Sequence, residues 1–274
     1  MPSGGNWKAQ TKVRAGAYIN FVSVPKPLGT VGERGVVAIA VPMTWGATDS
    51  LIEVYGEELL NGASLDKIGC TAYDAESLPF RLALKYCYKG LFYRMDRGGT
   101  KATVTHGNLT VSAKYAGTTG NKISVVVAEN TPETGKYTIN ILVNAGLKET
   151  YVIQTLGDLA DVESKWVDFA YNEEATGEVP TATTGVSLTG GTNGTVTEET
   201  WTADFFNLIK TEQWNCLAVQ SDSATLPALI ASNIKLSRKT SGKKAQAGVY
   251  NTTIADDEGI IAEKQGYKTE TETI

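Results

Sequence analysis

Residues 35–42 read GVVAIAVP, and this stretch decides the fold class. Its six central residues, 36–41, form the longest unbroken apolar run in the chain. A short continuous apolar run is typical of a strand that is covered on both faces of a parallel sheet, whereas a half-exposed strand alternates apolar and polar residues. The stretch therefore predicts an α/β domain with this strand in the interior of its sheet.

The segments on both sides of this strand continue the α/β pattern. Apolar residues recur there with helical spacing in some segments and form short apolar runs in others. The predicted helices cover residues 53–61, 77–89, 199–210 and 224–237, and the predicted strands cover residues 91–95, 214–219 and 244–250. A strand–helix–strand order of this length predicts a parallel crossover.

Residues 100–189 differ in composition from the segments around them. They are rich in Thr, Val, Asn and Gly, and their short alternating runs are separated by turn clusters, which predicts a small antiparallel β domain. Glycine pairs flank this domain, and we predict hinges at Gly98, Gly99, Gly190 and Gly191. The predicted fold class is α/β (α+β), an α/β domain with an inserted small antiparallel β domain and an extended N-terminal arm. The predicted boundaries are 1–34 for the arm and tether, 35–98 and 190–274 for the two parts of the α/β domain, and 99–189 for the inserted domain.

The N-terminal residues predict an extended arm joined to the body by a tether. Residues 13–22, VRAGAYINFV, alternate as a strand does, and the proline- and glycine-rich VPKPLGTVGERG follows. A single strand leaves its backbone groups unpaired, so it has to join a sheet in its own body or in another chain. The residues assigned to the arm are Val13, Arg14, Gly16, Tyr18, Ile19, Asn20 and Phe21, and those assigned to the tether are Pro25, Pro27 and Gly29.

Charge is divided unevenly along the chain. Residues 1–34 hold five basic residues and one acid, a net charge of +4, so the overall charge of −5 leaves −9 on residues 35–274. The acidic body argues against binding to nucleic acid. A basic arm on an acidic body fits contact between neighbouring copies, because complementary potentials favour their encounter and register.

Residues that carry chemistry are scarce. His106 is the only histidine, and the three cysteines, Cys70, Cys87 and Cys216, form no CxxC motif. The glycine-rich residues 188–197 precede a helix, but no lysine follows as in a phosphate-binding loop. The longest apolar run is far shorter than the ~20 residues of a membrane helix, and the N-terminus has no apolar signal segment. We therefore predict a cytoplasmic chain that is not an enzyme, with no catalytic residue, metal site, cofactor or membrane insertion.

Several motifs resemble one family. VRAGAYINF followed by PLGTVGERGVVAIAVPMTWG resembles the start of contractile tail sheath proteins of phages, prophages and tail-like bacteriocins. Those proteins begin with an R-P-G-x-Y-I-N-F arm, then G-x-R-G, an apolar strand and P-x-x-W-G, and Ala15 stands here where proline is usual. The matching residues are Arg14, Gly16, Tyr18, Ile19, Asn20, Phe21, Arg34, Gly35, Trp45 and Gly46. The resemblance continues in order through residues 120–127, 188–197 and 242–251, and the family's architecture is likewise an α/β domain interrupted by a small β domain.

The resemblance implies a structural subunit of a contractile tail sheath. Such subunits polymerise as stacked hexameric rings around a tail tube, donate arms to the sheets of neighbouring copies, and contract to drive the tube through a target cell envelope. The implied partners are further copies of the chain, a tail tube protein and a baseplate. The implied location is a virion tail or phage-tail-like particle, assembled in the host bacterial cytoplasm. The chain ends at YKTETETI, before the family's closing segments, so we expect part of the C-terminal linkage to be absent.

Two other functions are compatible with the residues alone. A surface carbohydrate-binding or adhesion module would use the Thr-rich residues 100–189 and needs a ligand pocket or an exposed aromatic patch there. A hydrolase on the α/β scaffold would place a nucleophile beside His106. The exposure of the aromatic side chains in residues 100–189 and the surroundings of His106 therefore separate these hypotheses.

Overall fold

The computed structural model describes residues 35–219, 223–250 and 257–263, which form an α/β unit and a β unit inserted into it. The first part of the α/β unit contains β1 (Val36–Val41), β2 (Leu51–Tyr55), α1 (Gly56–Asn61), α2 (Leu65–Ile68), α3 (Leu78–Leu84) and β3 (Lys89–Arg94). The inserted unit lies between β4 (Asp96–Arg97) and β12 (Thr195–Val196), and its strands are β5 (Thr103–His106), β6 (Leu109–Ala113), β7 (Ile123–Glu129), β8 (Tyr137–Val143), β9 (Gly146–Ile153), β10 (Val167–Tyr171) and β11 (Thr183–Ser187). The second part of the α/β unit contains α4 (Glu198–Thr211), β13 (Cys216–Val219), α5 (Leu226–Ser241), β14 (Gln246–Tyr250) and β15 (Ile260–Glu263).

The α/β unit is built on one six-stranded sheet in the order β15-β14-β13-β1-β3-β2. All neighbouring strands are parallel except β2, which runs antiparallel to β3. β1 lies inside the sheet between β13 and β3, and five of its six residues are buried, which explains its unbroken apolar sequence. The parallel pairing of β13 and β14, with α5 between them in the chain, confirms the predicted crossover.

The two faces of this sheet carry separate hydrophobic cores. Ala38 and Ala40 of β1 belong to the core that α4 and α5 complete. Ile39 and Val41 belong to the core on the opposite face, which α1, α2 and α3 complete. Successive residues of a strand point to opposite faces, so one strand contributes to both cores. The resulting three layers confirm the predicted α/β class.

The helix predicted at residues 53–61 is wrong in its first part. Residues 51–55 form β2, in which Ile52 and Val54 are buried while Glu53 is exposed, and only Gly56–Asn61 is helical. The period of two in LIEVY therefore outweighs the helical propensity of its neighbours. The helix predicted at residues 77–89 is shorter than expected, since α3 ends at Leu84 and the chain enters β3 at Lys89.

The inserted unit consists of two antiparallel sheets that share one core. The sheets have the strand orders β10-β6-β5 and β11-β7-β8-β9. Alternate residues of their strands are buried, such as Val111 of β6, Val125 of β7 and Ile141 of β8, and all three belong to the same hydrophobic cluster. The alternation predicted from the sequence therefore corresponds to real half-buried strands, and the small antiparallel β domain of the predicted fold class is confirmed.

The two chain crossings between the units run side by side as a ribbon. β4 pairs antiparallel with β12, and Thr100 and Thr192 exchange two backbone hydrogen bonds of 3.2 and 3.1 Å. The close approach requires glycine at two positions. A Cβ on Gly194 would lie 2.1 Å from the carbonyl oxygen of Arg97, and one on Gly99 would lie 2.4 Å from that of Thr192.

We expect the substitution Gly194→Ala to destabilise the protein by about 2 kcal/mol or more, because its methyl group would displace the facing backbone of the ribbon. The matched control is Gly248→Ala in β14, where an added Cβ meets no atom within 4 Å. That change should be neutral or stabilise by about 0.4–1 kcal/mol, because alanine restricts the unfolded chain. Urea unfolding followed by circular dichroism measures both, and equal midpoints for the two variants would contradict the close packing of the ribbon.

Candidate assembly site

The six-stranded sheet has one edge that no strand covers within the described residues. β15 pairs with β14 on one side through register positions such as Ala247 with Ile260. The N–H of Ala247 bonds the carbonyl of Gly259, so alternation along the ladder turns the backbone N–H and C=O of Ala262 away from β14. The side chain of Ile261 is 52% exposed. Among residues 35–219, 223–250 and 257–263, no strand pairs with these outward-facing backbone groups, which makes this edge a candidate acceptor.

The opposite edge of the sheet, at β2, is covered by a lysine. The Nζ of Lys67 donates to the backbone carbonyl of Glu53 at 3.2 Å, and it also binds the carboxylate of Glu58 at 2.9 Å. A second lysine, Lys89, forms an ion pair of 2.9 Å with the side chain of Glu53. Because Lys67, from α2, binds an outward-facing carbonyl of β2, it hinders the pairing of another strand with this edge. Of the two edges, β15 is the better acceptor.

The predicted arm, residues 13–22, and the tether residues Pro25, Pro27 and Gly29 lie outside the described residues. The first described residue, Gly35, accepts a hydrogen bond of 3.1 Å from the N–H of Tyr88 through its carbonyl. The next residue, Val36, donates from its N–H to Oδ1 of Asn215 at 2.9 Å. Residues 1–34 therefore join the body at the N-terminal end of an interior strand, and not at a sheet edge.

The four glycines predicted as hinges all lie at the joint between the units. Gly98 and Gly190 adopt positive φ angles of 75° and 81°, and an added Cβ at either position would meet no atom within 4 Å. Gly99 is packed in the ribbon, and a Cβ on Gly191 would lie 2.6 Å from the carbonyl oxygen of Gly117. The hinge function stays a prediction, and the tight contacts at Gly99 and Gly191 favour a fixed joint.

A tryptophan from the α/β unit is inserted into the core of the β unit. Trp45 follows β1 and is fully buried in the hydrophobic cluster formed by the β unit. Its ring lies 5.2 Å from that of Tyr115, edge to face, and 5.4 Å from that of Trp166. Its Nε1 donates to the backbone carbonyl of Asp66 at 2.9 Å. Because truncating a buried tryptophan costs about 3–5 kcal/mol, this contact couples the two units strongly.

A buried ion pair reinforces the same junction. Nε and Nη2 of Arg94 donate to Oδ2 of Asp96 at 2.8 and 2.5 Å, and both side chains are almost completely buried. Nη1 of Arg94 donates to the carbonyls of Gly46, in the α/β unit, and Ala116, in the β unit, at 3.0 and 2.7 Å. Oδ1 of Asp96 accepts from the N–H of Met43 at 2.7 Å. Removing one partner of such a pair would leave a buried charge unpaired and cost about 3–5 kcal/mol.

Arg97 connects the ribbon to α4. Its guanidinium forms ion pairs with Asp49 and with Asp204 of α4, the latter at 3.0 Å, and it donates to the hydroxyl of Tyr93. Burial alone would lower the pKa of Arg97, but the hydrogen bond to Tyr93 and the two carboxylates raise it. The guanidinium therefore stays charged and holds the ribbon against the helix layer.

Sequence reasoning missed the roles of Arg94, Asp96 and Trp45 at the junction. Trp45 enters the sequence argument only as part of a family motif, and nothing in its local pattern indicates which core it joins. A signal for the ion pair exists in the sequence LFYRMD, where Arg94 and Asp96 stand beside an apolar run that forms an interior strand. Charged residues are almost never fully buried unless they are paired, so this pattern predicts a partner nearby.

The two alternative functions lack the features that they need. None of the aromatic side chains in residues 100–189 is exposed: Trp166 is buried, and Tyr115, Tyr137, Tyr151, Phe169 and Tyr171 are half-buried. Nε2 of His106 lies 3.3 Å from the backbone carbonyl of Ala182, a group that is not a nucleophile. The inserted unit therefore presents no aromatic binding surface, and His106 occupies an ordinary position at the end of a hairpin strand.

Other chemistry-bearing side chains form no reactive group among the described residues. No cluster of three His, Cys, Asp or Glu side chains that could hold a metal ion occurs there. Burial raises the pKa of the Cys70 thiol to about 12, so this thiol stays protonated and unreactive near neutral pH. In the described part of the chain, no helix has the length and hydropathy needed to cross a membrane.

The chain matches known proteins both in its inserted unit and over nearly its whole length. Residues 97–193 match the model for the phage tail sheath protein β-sandwich domain. The chain is 26% identical over 280 residues to the phage-like element PBSX protein XkdK of Bacillus subtilis strain 168, a match that covers 97% of this chain and 58% of XkdK.

Two solved structures resemble the fold closely. The sheath tail protein from Desulfitobacterium hafniense is 32% identical with a TM-score of 0.73, over 92% of this chain and 56% of that protein. A sheath tail protein from Listeria innocua is 30% identical with a TM-score of 0.75, over 85% of this chain and 51% of that protein. The chain thus spans just over half the length of the relatives that it matches. Fold, inserted domain and sequence agree, and the chain belongs to the phage tail sheath protein family.

Proposed function

We propose that this chain is a structural, non-enzymatic subunit of a contractile tail sheath. In this proposal it polymerises as stacked hexameric rings around a tail tube and contracts to drive the tube through a target cell envelope. The observation that carries the proposal is the agreement of the two-unit fold with sheath tail proteins over 92% of the chain. The proposed partners are further copies of the chain, a tail tube protein and a baseplate. The proposed location is a virion tail or phage-tail-like particle assembled in the host bacterial cytoplasm.

The proposed link between copies is a donated strand. The donated strand would pair with the outer edge of β15 in a neighbouring copy. It consists of residues 13–22, which include Val13, Arg14, Gly16, Tyr18 and the INF sequence after it. The backbone groups of Ala262 that face away from β14 support this choice of edge. Backbone hydrogen bonds would supply attachment, and the alternation of side chains in the arm would fix its register.

The tether is long enough for the arm to reach a sheet edge at the distance of β15. Residues 1–34 leave the body at the N-terminal end of β1, and β15 is the third strand from β1 in the sheet. Strands are about 4.8 Å apart, so a strand added beyond β15 lies about 19 Å from β1. The twelve residues 23–34 can span up to about 40 Å. The reach therefore allows pairing with β15 of the same copy as well as donation to a neighbouring copy, and the self-association of the full chain distinguishes the two.

Local charge at β15 gives this pairing little support. Asp257 and Glu258, just before β15, already form ion pairs with Lys235 at 3.4 Å and Arg238 at 3.0 Å, so Lys12 and Arg14 of the arm would compete with them. Exposed ion pairs of this kind contribute at most about 1 kcal/mol each, so their contribution is to encounter and register more than to affinity.

The first prediction concerns the arm. We expect deletion of residues 1–24 to leave the described body folded, because the three hydrophobic cores of the described residues are built from positions 36–260. The same deletion should abolish self-association, because the donated strand is lost. Sedimentation velocity over a range of concentrations and negative-stain electron microscopy measure this. Rings or sheaths formed equally by the deleted and the full chain would refute the arm's role.

The second prediction concerns the acceptor edge. Ala262→Pro removes an N–H that points away from β14, so we expect the body to fold and self-association to weaken sharply. The matched control is Glu53→Pro on β2, which alters an outward-facing edge position on the side that Lys67 covers. That control should associate as the unmodified chain does. Weaker association in the control than in Ala262→Pro would show that β15 is not the acceptor.

A further inference from the structure

We propose that residues 24–28, VPKPL, dock on a tyrosine surface of the same chain, beside the point where residues 1–34 join the sheet. We define the tyrosine surface by Tyr55, Leu82, Tyr86 and Tyr88. The docked segment would set the direction in which the arm leaves the body. The docking does not depend on the proposed sheath function, although its consequence for the arm does.

The tyrosine surface contains three exposed apolar side chains from residues 82–88 and the half-buried Tyr55. Tyr86 is 74% exposed, Leu82, four residues earlier in α3, is 49% exposed, and Tyr88 is 36% exposed. The ring of Tyr88 lies 5.4 Å from that of Tyr55, which ends β2. Grouped exposed apolar side chains mark interaction sites more often than single ones do.

The chain that precedes Gly35 starts at this surface. The carbonyl of Gly35 accepts the N–H of Tyr88 at 3.1 Å. A Cβ on Gly35 would lie 3.6 Å from Sγ of Cys87 and 3.9 Å from the carbonyl oxygen of Tyr86. Residues before Gly35 therefore leave the sheet directly beside Tyr86 and Tyr88.

The sequence VPKPL suits such a surface. Pro25 and Pro27 favour the polyproline II helix, which docks on aromatic side chains at a low cost in conformational entropy. With three residues per turn, Val24 and Pro27 share one edge of that helix and Pro25 and Leu28 share another, so Lys26 alone occupies the third edge. Two apolar edges can therefore face the tyrosines while Lys26 faces water.

Reach favours the segment of the same chain over that of a neighbouring copy. Seven residue steps separate Leu28 from Gly35, and they span at most about 25 Å. A segment tethered so closely has a high effective concentration at the surface, which a separate copy in dilute solution does not match. Lys85 lies over the ring of Tyr86 at 5.5 Å, so charge alone does not attract the basic arm here, and apolar contact has to supply the affinity.

The test introduces the photo-reactive substitution Tyr86→p-benzoylphenylalanine into the full chain. Cross-links are formed at a concentration where the chain is monomeric and are mapped by mass spectrometry. We expect cross-links from position 86 to residues 24–28. The matched control is the same replacement at Tyr73, which is 75% exposed. In the chain it lies between Cys70 and Ala75, which line a pocket together with Pro42, the residue that follows β1. The control should give no cross-link to residues 24–28.

Two further experiments distinguish docking within one chain from docking between copies, and test the contribution of the prolines. A mixture of isotopically light and heavy chains should give light–light and heavy–heavy cross-links; light–heavy products alone would assign the surface to a second copy and overturn the proposal. Pro25→Ser with Pro27→Ser should reduce the yield from position 86 at least about fivefold, because apolar contact area is lost. An unchanged yield, or the same cross-links from positions 73 and 86, would also overturn it. None of these readouts requires sheath assembly, so failure here is distinct from failure of the proposed function.

Discussion

The buried ion pair between Arg94 and Asp96 is the interaction on which the arrangement of the two units depends. Two charges withdrawn from water are tolerated only when every neighbouring group is placed to compensate them. Here the guanidinium satisfies Asp96 and the carbonyls of Gly46 and Ala116, which belong to different units. Because a guanidinium is planar and its donors have fixed directions, these partners cannot shift independently. Because the buried charges need all of these hydrogen bonds, the ion pair fixes the orientation of the β unit on the α/β unit.

Packing around the ion pair acts in the same direction. Trp45 places an aromatic ring from one unit in the core of the other, and the glycine ribbon brings the two crossings into direct backbone contact. Closely packed interiors respond to stress by moving as a whole and not by bending. If the body moves as one piece, then any change of shape in an assembly has to occur in the segments that join the bodies. That arrangement fits the contractile function that we propose for this chain, in which the links would persist while the bodies rearrange.

The sequence alone predicts the helices and strands in which apolar side chains recur with a clear period. The apolar run of β1, the amphipathic helices α4 and α5, and the alternating strands of the β unit follow from periodicity alone. The prediction failed at β2, where a strand of five residues precedes a helix without a break, and local propensity could not separate the two. The rest of the junction could not be predicted, because the carbonyls that Arg94 binds, of Gly46 and Ala116, and the aromatic partners of Trp45 lie in distant segments of the chain. The hinge prediction at Gly98, Gly99, Gly190 and Gly191 stays untested, while the close backbone approaches at Gly99 and Gly194 could be found only from tertiary contacts.

The central claim, that the two units form one rigid body, is tested most directly by measuring a distance between them. Spin labels at Lys148→Cys in β9 and Ser232→Cys in α5, both exposed positions, report that distance by double electron–electron resonance. Cys87→Ser and Cys216→Ser remove the more accessible native thiols, while Cys70 is buried with its pKa raised to about 12 and should not react. The account predicts one narrow distance distribution, identical in the free chain and in assemblies. Two populations, or a distance that changes on assembly, would contradict it.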